Sequence, residues 1–209
     1  ETGEKMANWN PYDQNASAEF FDPEWMFGVR DGFDITFGNP PYVRADEQSE
    51  WNQRQRLLIL ASKQYETLWE KWDLFVPFIE RAYKLLKPGG VTTLIVSDAF
   101  CHSKYAQKPQ NWFLKNARIL RLDFCADVEI FEAAVHNLIY FFQKVDGTRH
   151  TPERRVHSET FGNVTTLPSD EQKDLTFRAF FPEDTAKQSF SSRTVKLDGI
   201  CYISYGLRP

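Results

Sequence analysis

Apolar positions along this chain follow two periods. Phe33, Ile35 and Phe37 stand at every second position, and aromatic and β-branched side chains suit a strand. The run reads as a short buried strand. From Asp73 to Gly90 the period becomes helical: Leu74, Phe75, Phe78, Ile79, Ala82, Leu85 and Leu86 form one apolar stripe. Asp73 offers an N-cap, and Pro77 lies near the first turn, where its cost is least. Lys84 and Lys87 suit the negative end of the helix dipole, and Lys87-Pro88-Gly89-Gly90 is a stop. Val91 to Val96 is a continuous apolar run, as in a parallel sheet covered on both faces. A second helix is predicted over Pro109 to Ala117. Strands are predicted over Ile119 to Phe124 and His136 to Lys144. Strand, helix, strand, helix, strand in that order predicts an α/β fold with a doubly wound sheet.

Three stretches fall outside this rhythm. Asn10-Pro11-Tyr12 is turn chemistry. Phe20 to Gly28 reads as a short helix opened by Asp22, with Pro23 at its first position, packed on the sheet edge. Residues 43 to 72 are charged and helix-prone. They read as a solvated helical insertion over the sheet; the competing reading places Arg44, Arg54, Arg56 and Lys63 on phosphates. From Val145 the composition changes. Asp146-Gly147-Thr148 is a turn, Phe177, Phe180, Phe181 and Phe190 are spaced aromatics, and Leu197 to Leu207 alternates like a strand. The chain therefore divides at 1–145 and 146–209.

Composition narrows the class. The 209 residues are 42% hydrophobic and 15% aromatic, enough for a real core, and the net charge of -4 rules out a general polycation for nucleic acid. Cys101, Cys125 and Cys201 are too far apart for metal-ligand spacing or a disulfide framework, which fits a reducing cytoplasm and predicts no bound metal. No apolar run is long enough to cross a membrane, and no signal peptide is visible at the start.

The candidate chemistry sits at the end of the first strand, in Gly38-Asn39-Pro40-Pro41-Tyr42. Gly38 lets the backbone leave the sheet without a Cβ clash. Pro40 and Pro41 lock two φ angles and hold Asn39 and Pro40 extended. The Asn39 side-chain oxygen and the Pro40 carbonyl are then two acceptors on a rigid frame. Such a pair can hold both hydrogens of an exocyclic amine, localise its lone pair and stabilise the charge that develops as it attacks an electrophile. The Tyr42 ring can stack on a planar base. The plain alternative is a Pro-Pro turn ending a strand, with Asn39 as turn former. The apolar strand directly upstream favours the first reading.

Phe33-Asp34-Ile35-Thr36-Phe37-Gly38-Asn39-Pro40-Pro41-Tyr42 resembles the catalytic motif of the gamma-class DNA adenine-N6 methyltransferases, above all the large methylases of type II restriction–modification systems, in which methylase and nuclease are often fused. The resemblance implies that Asn39 and Pro40 grip the adenine amine, that Pro41 completes the ledge and that Tyr42 stacks on a base flipped from duplex DNA. It implies that Phe131, in the loop before the last strand, touches the flipped base. It implies that Phe78 borders the pocket for the methyl donor, S-adenosylmethionine; the alternative is a core phenylalanine. The implied fold is part of a Rossmann-like methyltransferase sheet with a closing antiparallel strand over 136–144, followed by the opening of a target-recognition domain. No Gly-rich turn follows a strand before residue 33, so the main donor-binding loop is absent from this stretch and the chain is expected to be a fragment with little donor affinity of its own. Two other classes stay open: methylation of an amine on RNA or protein, which the same ledge would serve, and a noncatalytic interaction module.

Overall fold

The computed structural model describes residues 2–8, 10, 12–13, 21–131, 136–145, 150–167, 177–180 and 182. In chain order these hold helices α1 (Thr2–Ala7) and α2 (Pro23–Phe27), strand β1 (Phe33–Gly38), helices α3 (Glu50–Ser62) and α4 (Phe75–Lys84), strand β2 (Leu86–Ser97), helices α5 (Ala99–His102) and α6 (Gln107–Asn116), and strands β3 (Arg118–Asp127), β4 (Asn137–Gln143), β5 (Glu153–Ser158) and β6 (Thr160–Leu167). The strands form one mixed sheet in the order β1-β2-β4-β3-β5-β6. β1 runs parallel to β2. β4 lies between β2 and β3, antiparallel to both, as expected of a closing strand. The fold is α/β.

Helices α4 and α6 share a face. The Tyr83 ring of α4 meets Trp112 and Phe113 of α6 edge-on, with centroids 5.2 and 5.6 Å away, and its hydroxyl donates to the Asn116 carbonyl. The crossovers β1–α4–β2 and β2–α6–β3 step the same way along the sheet. Right-handed connections then put both helices on one side. This corrects the reading of Val91 to Val96 as a strand covered on both faces. Thr92, Leu94 and Val96 are buried, while Val91, Thr93 and Ile95 between them are half-buried.

A second correction concerns β1, expected to be buried. Ile35 is 63% exposed and Phe37 81%. Among the described residues β1 pairs with β2 alone, so one backbone edge is open. The third correction is the length of the 73–90 helix. It ends at Lys84, and Leu86 to Gly90 already belong to β2. The Phe33 N–H donates to Leu85 O at 2.9 Å, Gly89 N–H donates to Lys144 O at 2.7 Å, and Lys144 N–H donates to Gly90 O at 2.8 Å. Strand partners on both sides outcompete another helical turn.

Gly38 is not needed where the chain leaves the sheet, because a Cβ there would meet only Leu94 Cδ2 at 3.5 Å. The demanding glycine is Gly32, just before β1. Its φ is +101°, and a Cβ would lie 2.6 Å from the Lys87 nitrogen. Gly32→Ala is expected to cost about 1–3 kcal/mol from backbone strain alone, or roughly 2–10 °C in a thermal melt.

The short α2 follows its sequence signals: the Asp22 carboxylate accepts from Trp25 N–H at 2.9 Å, Pro23 opens the helix and Gly28 ends it in the left-handed region. Beyond residue 145, β5 pairs parallel with β3, and β6 pairs antiparallel with β5. The Phe177 ring packs edge-on against Phe100 at 5.3 Å inside the core. The Asp146-Gly147-Thr148 turn, Phe181, Phe190 and the 197–207 strand lie outside the described residues.

Candidate functional site

The turn Asn39 to Tyr42 leaves the carboxyl end of β1. Pro40 is buried, Pro41 and Asn39 are exposed, and the Asn39 side chain makes no hydrogen bond to another described residue. An amide presented on a fixed, outward-facing frame is available to a ligand.

The segment after the turn is tied down from three sides. Leu74 N–H donates to Val43 O at 3.0 Å. Ala45 N–H donates to the Asp73 carboxylate at 2.8 Å, and the Tyr105 hydroxyl donates to its other oxygen at 2.6 Å. Asp73 therefore does not cap α4, whose N-cap is Leu74 with no side-chain bond. Burial, then the neighbouring Asp73 carboxylate, push the Tyr105 hydroxyl upward. Helix α3 is fastened to the same segment. Asn52 Nδ2 donates to Arg44 O at 3.2 Å and Glu47 O at 2.7 Å.

The insertion is thus a strut beside the turn. Arg56 lies over the Trp72 ring, 4.2 Å from its centroid, and donates to Trp72 O, so it is used internally rather than on a phosphate. Arg44 pairs with Asp46 at 3.0 Å on the surface.

Tyr42 is pinned at its far end. Its hydroxyl donates to Asn137 Oδ1 at 2.9 Å and to Ile95 O at 3.2 Å. Burial pushes this phenol up to about 12, so it keeps its proton at neutral pH. The Phe131 ring stands 5.8 Å from the Tyr42 ring at an interplanar angle of 62°. Two residues 89 positions apart therefore form one aromatic corner beside the Asn39–Pro40 ledge.

Phe78 is partly exposed rather than core. It lines a groove of about 470 Å³ with Phe33, Phe37, Asn39, Pro40 and Arg81. No lining residue is acidic. At the same end of β2, Asp98 N–H donates to His136 O at 2.9 Å, and Asp98 Oδ2 lies 3.6 Å from His136 Nδ1. His136 itself is exposed.

Sequence reasoning missed two members of this neighbourhood, Asp73 as a brace and Asn137 as the partner of Tyr42. Neither carries a local signal, since an Asp before a helix and an Asn at a strand start both have ordinary explanations. Among the described residues no His, Cys, Asp and Glu cluster could hold a metal, and no helix is long and apolar enough to cross a membrane. Cys101 and Cys125 are buried and free.

Residues 2–131 match the Eco57I restriction-modification methylase family. The type II methyltransferase M.BstVI of Geobacillus stearothermophilus is 28% identical over 159 residues, which is 75% of this chain and 27% of that protein. RM.Eco57I of Escherichia coli, a type II restriction enzyme and methyltransferase, is 23% identical over 100 residues, or 48% of this chain and 10% of that protein. A cryoEM structure of a DrdV–DNA complex is similar at a TM-score of 0.46 and 15% identity, covering 75% of this chain and 19% of that one. The chain thus spans about a quarter of the length of M.BstVI. The family match covers more than half of the 209 residues, and the chain belongs to the Eco57I restriction-modification methylase family.

Proposed function

We propose that this chain forms the amine-gripping half of a site that methylates adenine N6 in duplex DNA, within a cytoplasmic restriction–modification enzyme. The observation that carries this reading is the aromatic corner of Tyr42 and Phe131 beside an outward-facing Asn39. A purine stacked on the Tyr42 ring brings its exocyclic amine to the Asn39 side-chain oxygen and the Pro40 carbonyl. Flipping the base out of the duplex costs a few kcal/mol. The two acceptors take the amine hydrogens and favour the positive charge that grows on nitrogen. The amine lone pair forms the new N–C bond in line. The C–S bond of the donor breaks, its electron pair stays on sulfur, and the amine releases a proton to solvent.

The groove beside Phe78 fits part of S-adenosylmethionine. Phe37 and Phe78 offer ring faces, whereas the lining holds no carboxylate to accept from the ribose hydroxyls. We assign to this chain only the methyl-transfer end of the donor site. The same proposal has a target-recognition region open within 146–209; a nuclease on the same polypeptide is the arrangement that the name of one relative, RM.Eco57I, describes.

Two measurements test the proposal. The enzyme as the cell makes it is incubated with labelled S-adenosylmethionine and either an adenine-containing duplex or RNA of the same sequence. Label recovered as N6-methyladenine from the duplex is expected; label on cytosine, RNA or protein overturns the substrate assignment. Calorimetric titration of this 209-residue chain with S-adenosylmethionine is expected to give no measurable heat, and micromolar affinity would place the whole donor site within it.

A further inference from the structure

The geometry points to Asn137 as the residue that sets the orientation of the Tyr42 ring for base stacking. The inference rests on the reading of Tyr42 as the stacking ring. Asn137 is 1% exposed and opens β4, where it pairs with Ser97 of β2 and Cys125 of β3. A side chain held between two neighbouring strands has little freedom, so its oxygen is a fixed point. The Tyr42 hydroxyl reaches that oxygen at 2.9 Å across 95 residues of sequence.

The other end of Tyr42 is fixed by Pro40 and Pro41, which restrict the backbone leading into it. With the Cα placed by the prolines and the hydroxyl placed by Asn137, the ring cannot turn about its side-chain bonds without breaking the hydrogen bond. The Ile95 carbonyl, at 3.2 Å, is a second acceptor of the same hydroxyl but a longer one. Phe131 supplies the other side of the corner, its ring inclined at 62° to Tyr42, so a base entering it meets a preset angle. Holding reacting groups in a near-productive geometry is a large source of rate, and small misplacements are costly. Asn137 is therefore a positioning residue: it touches neither base nor donor and acts through the phenol.

The test uses the methyltransferase as the cell makes it, with four variants: Tyr42→Phe, Asn137→Leu, Asn137→Asp and the Tyr42→Phe/Asn137→Leu pair. Leucine matches asparagine in size and cannot accept a hydrogen bond, whereas aspartate keeps an acceptor at the same place. Tyr42→Phe and Asn137→Leu are each expected to lower kcat about tenfold, as loss of one hydrogen bond predicts, with KM for DNA within about twofold because phosphate contacts dominate affinity. The pair is expected to lose no more than either alone, and Asn137→Asp to retain most of kcat. A further tenfold loss in the pair would mean that Asn137 acts independently of the phenol and would overturn the proposal. So would unchanged kcat in Asn137→Leu. A separate arm places 2-aminopurine at the target position, whose fluorescence is quenched when it stacks on Tyr42. If Tyr42→Ala leaves both fluorescence and methylation unchanged, the stacking reading itself fails, which is distinct from failure of the Asn137 assignment.

Discussion

Asn39→Ala is expected to cut methylation by about 10²–10³, the usual cost of losing one preorganised group facing developing charge, while duplex affinity stays within about twofold, since phosphate contacts carry most of it. The separation of the two effects is the informative part. Asn39 is exposed and makes no hydrogen bond to another described residue, so its removal leaves nothing buried unpaired. The melting temperature should therefore match that of the parent. Equal losses of methylation and stability would identify Asn39 as a turn former and return the Pro-Pro ledge to a structural role. Single-turnover methylation, a filter-binding isotherm and a thermal melt together make the comparison.

The second large effect is on stability and falls on Glu80. This carboxylate is fully buried in α4. It accepts from Glu66 N–H at 2.9 Å, from Thr67 N–H at 2.9 Å and from the Thr67 hydroxyl at 2.6 Å, and Lys84 Nζ lies 2.6 Å away. Glu80→Ala leaves the Glu66 and Thr67 donors without their acceptor, and removing one member of a buried charged network costs about 3–5 kcal/mol. Glu80→Gln keeps the volume and one acceptor, and is expected to cost about 1–3 kcal/mol.

Burial by itself would raise the Glu80 acid. The hydrogen bonds from Lys84, Thr67 and the backbone N–H groups outweigh it and hold the carboxyl below its ordinary 4.5. A folded-state value below the unfolded one means that the stabilisation is fully present above the unfolded value. It is lost as pH falls through the folded value. Urea midpoints should therefore drop between pH 7 and pH 3 in the parent, and drop less in Glu80→Gln. A parallel acid limb in both would show that Glu80 does not carry this linkage. The consequence for the site is indirect, because Glu80 anchors residues 66–67 to α4, whose N-terminal neighbour Asp73 braces the segment leaving Tyr42.

Much of the fold is legible in local sequence. The alternation of Phe33, Ile35 and Phe37 marks β1, the stripe from Phe75 to Ala82 marks α4, and Asp22-Pro23 with Gly28 brackets α2. These features are written in side-chain period and in φ restrictions that act within a few residues. What misleads is whatever depends on neighbours across the sheet. The end of α4 shifts to Lys84 because Leu86 to Gly90 find strand partners. The 91–96 run reads as doubly covered although α4 and α6 lie on one face. A short apolar edge strand and a short apolar central strand look alike in one dimension.

The stiffness of the Asn39–Tyr42 corner follows from the sequence alone, because a proline ring fixes its own backbone and restrains the residue before it wherever it stands. The family is equally a property of the sequence, since the match over residues 2–131 needs no coordinates. Only the folded chain decides which way the corner faces, that Phe131 meets Tyr42, and that Asp73 and Asn137 hold its two ends. The reason is the range of the interactions. A polar side chain accepts from whichever donor the fold brings within about 3 Å, and here those donors lie 28 and 95 residues away.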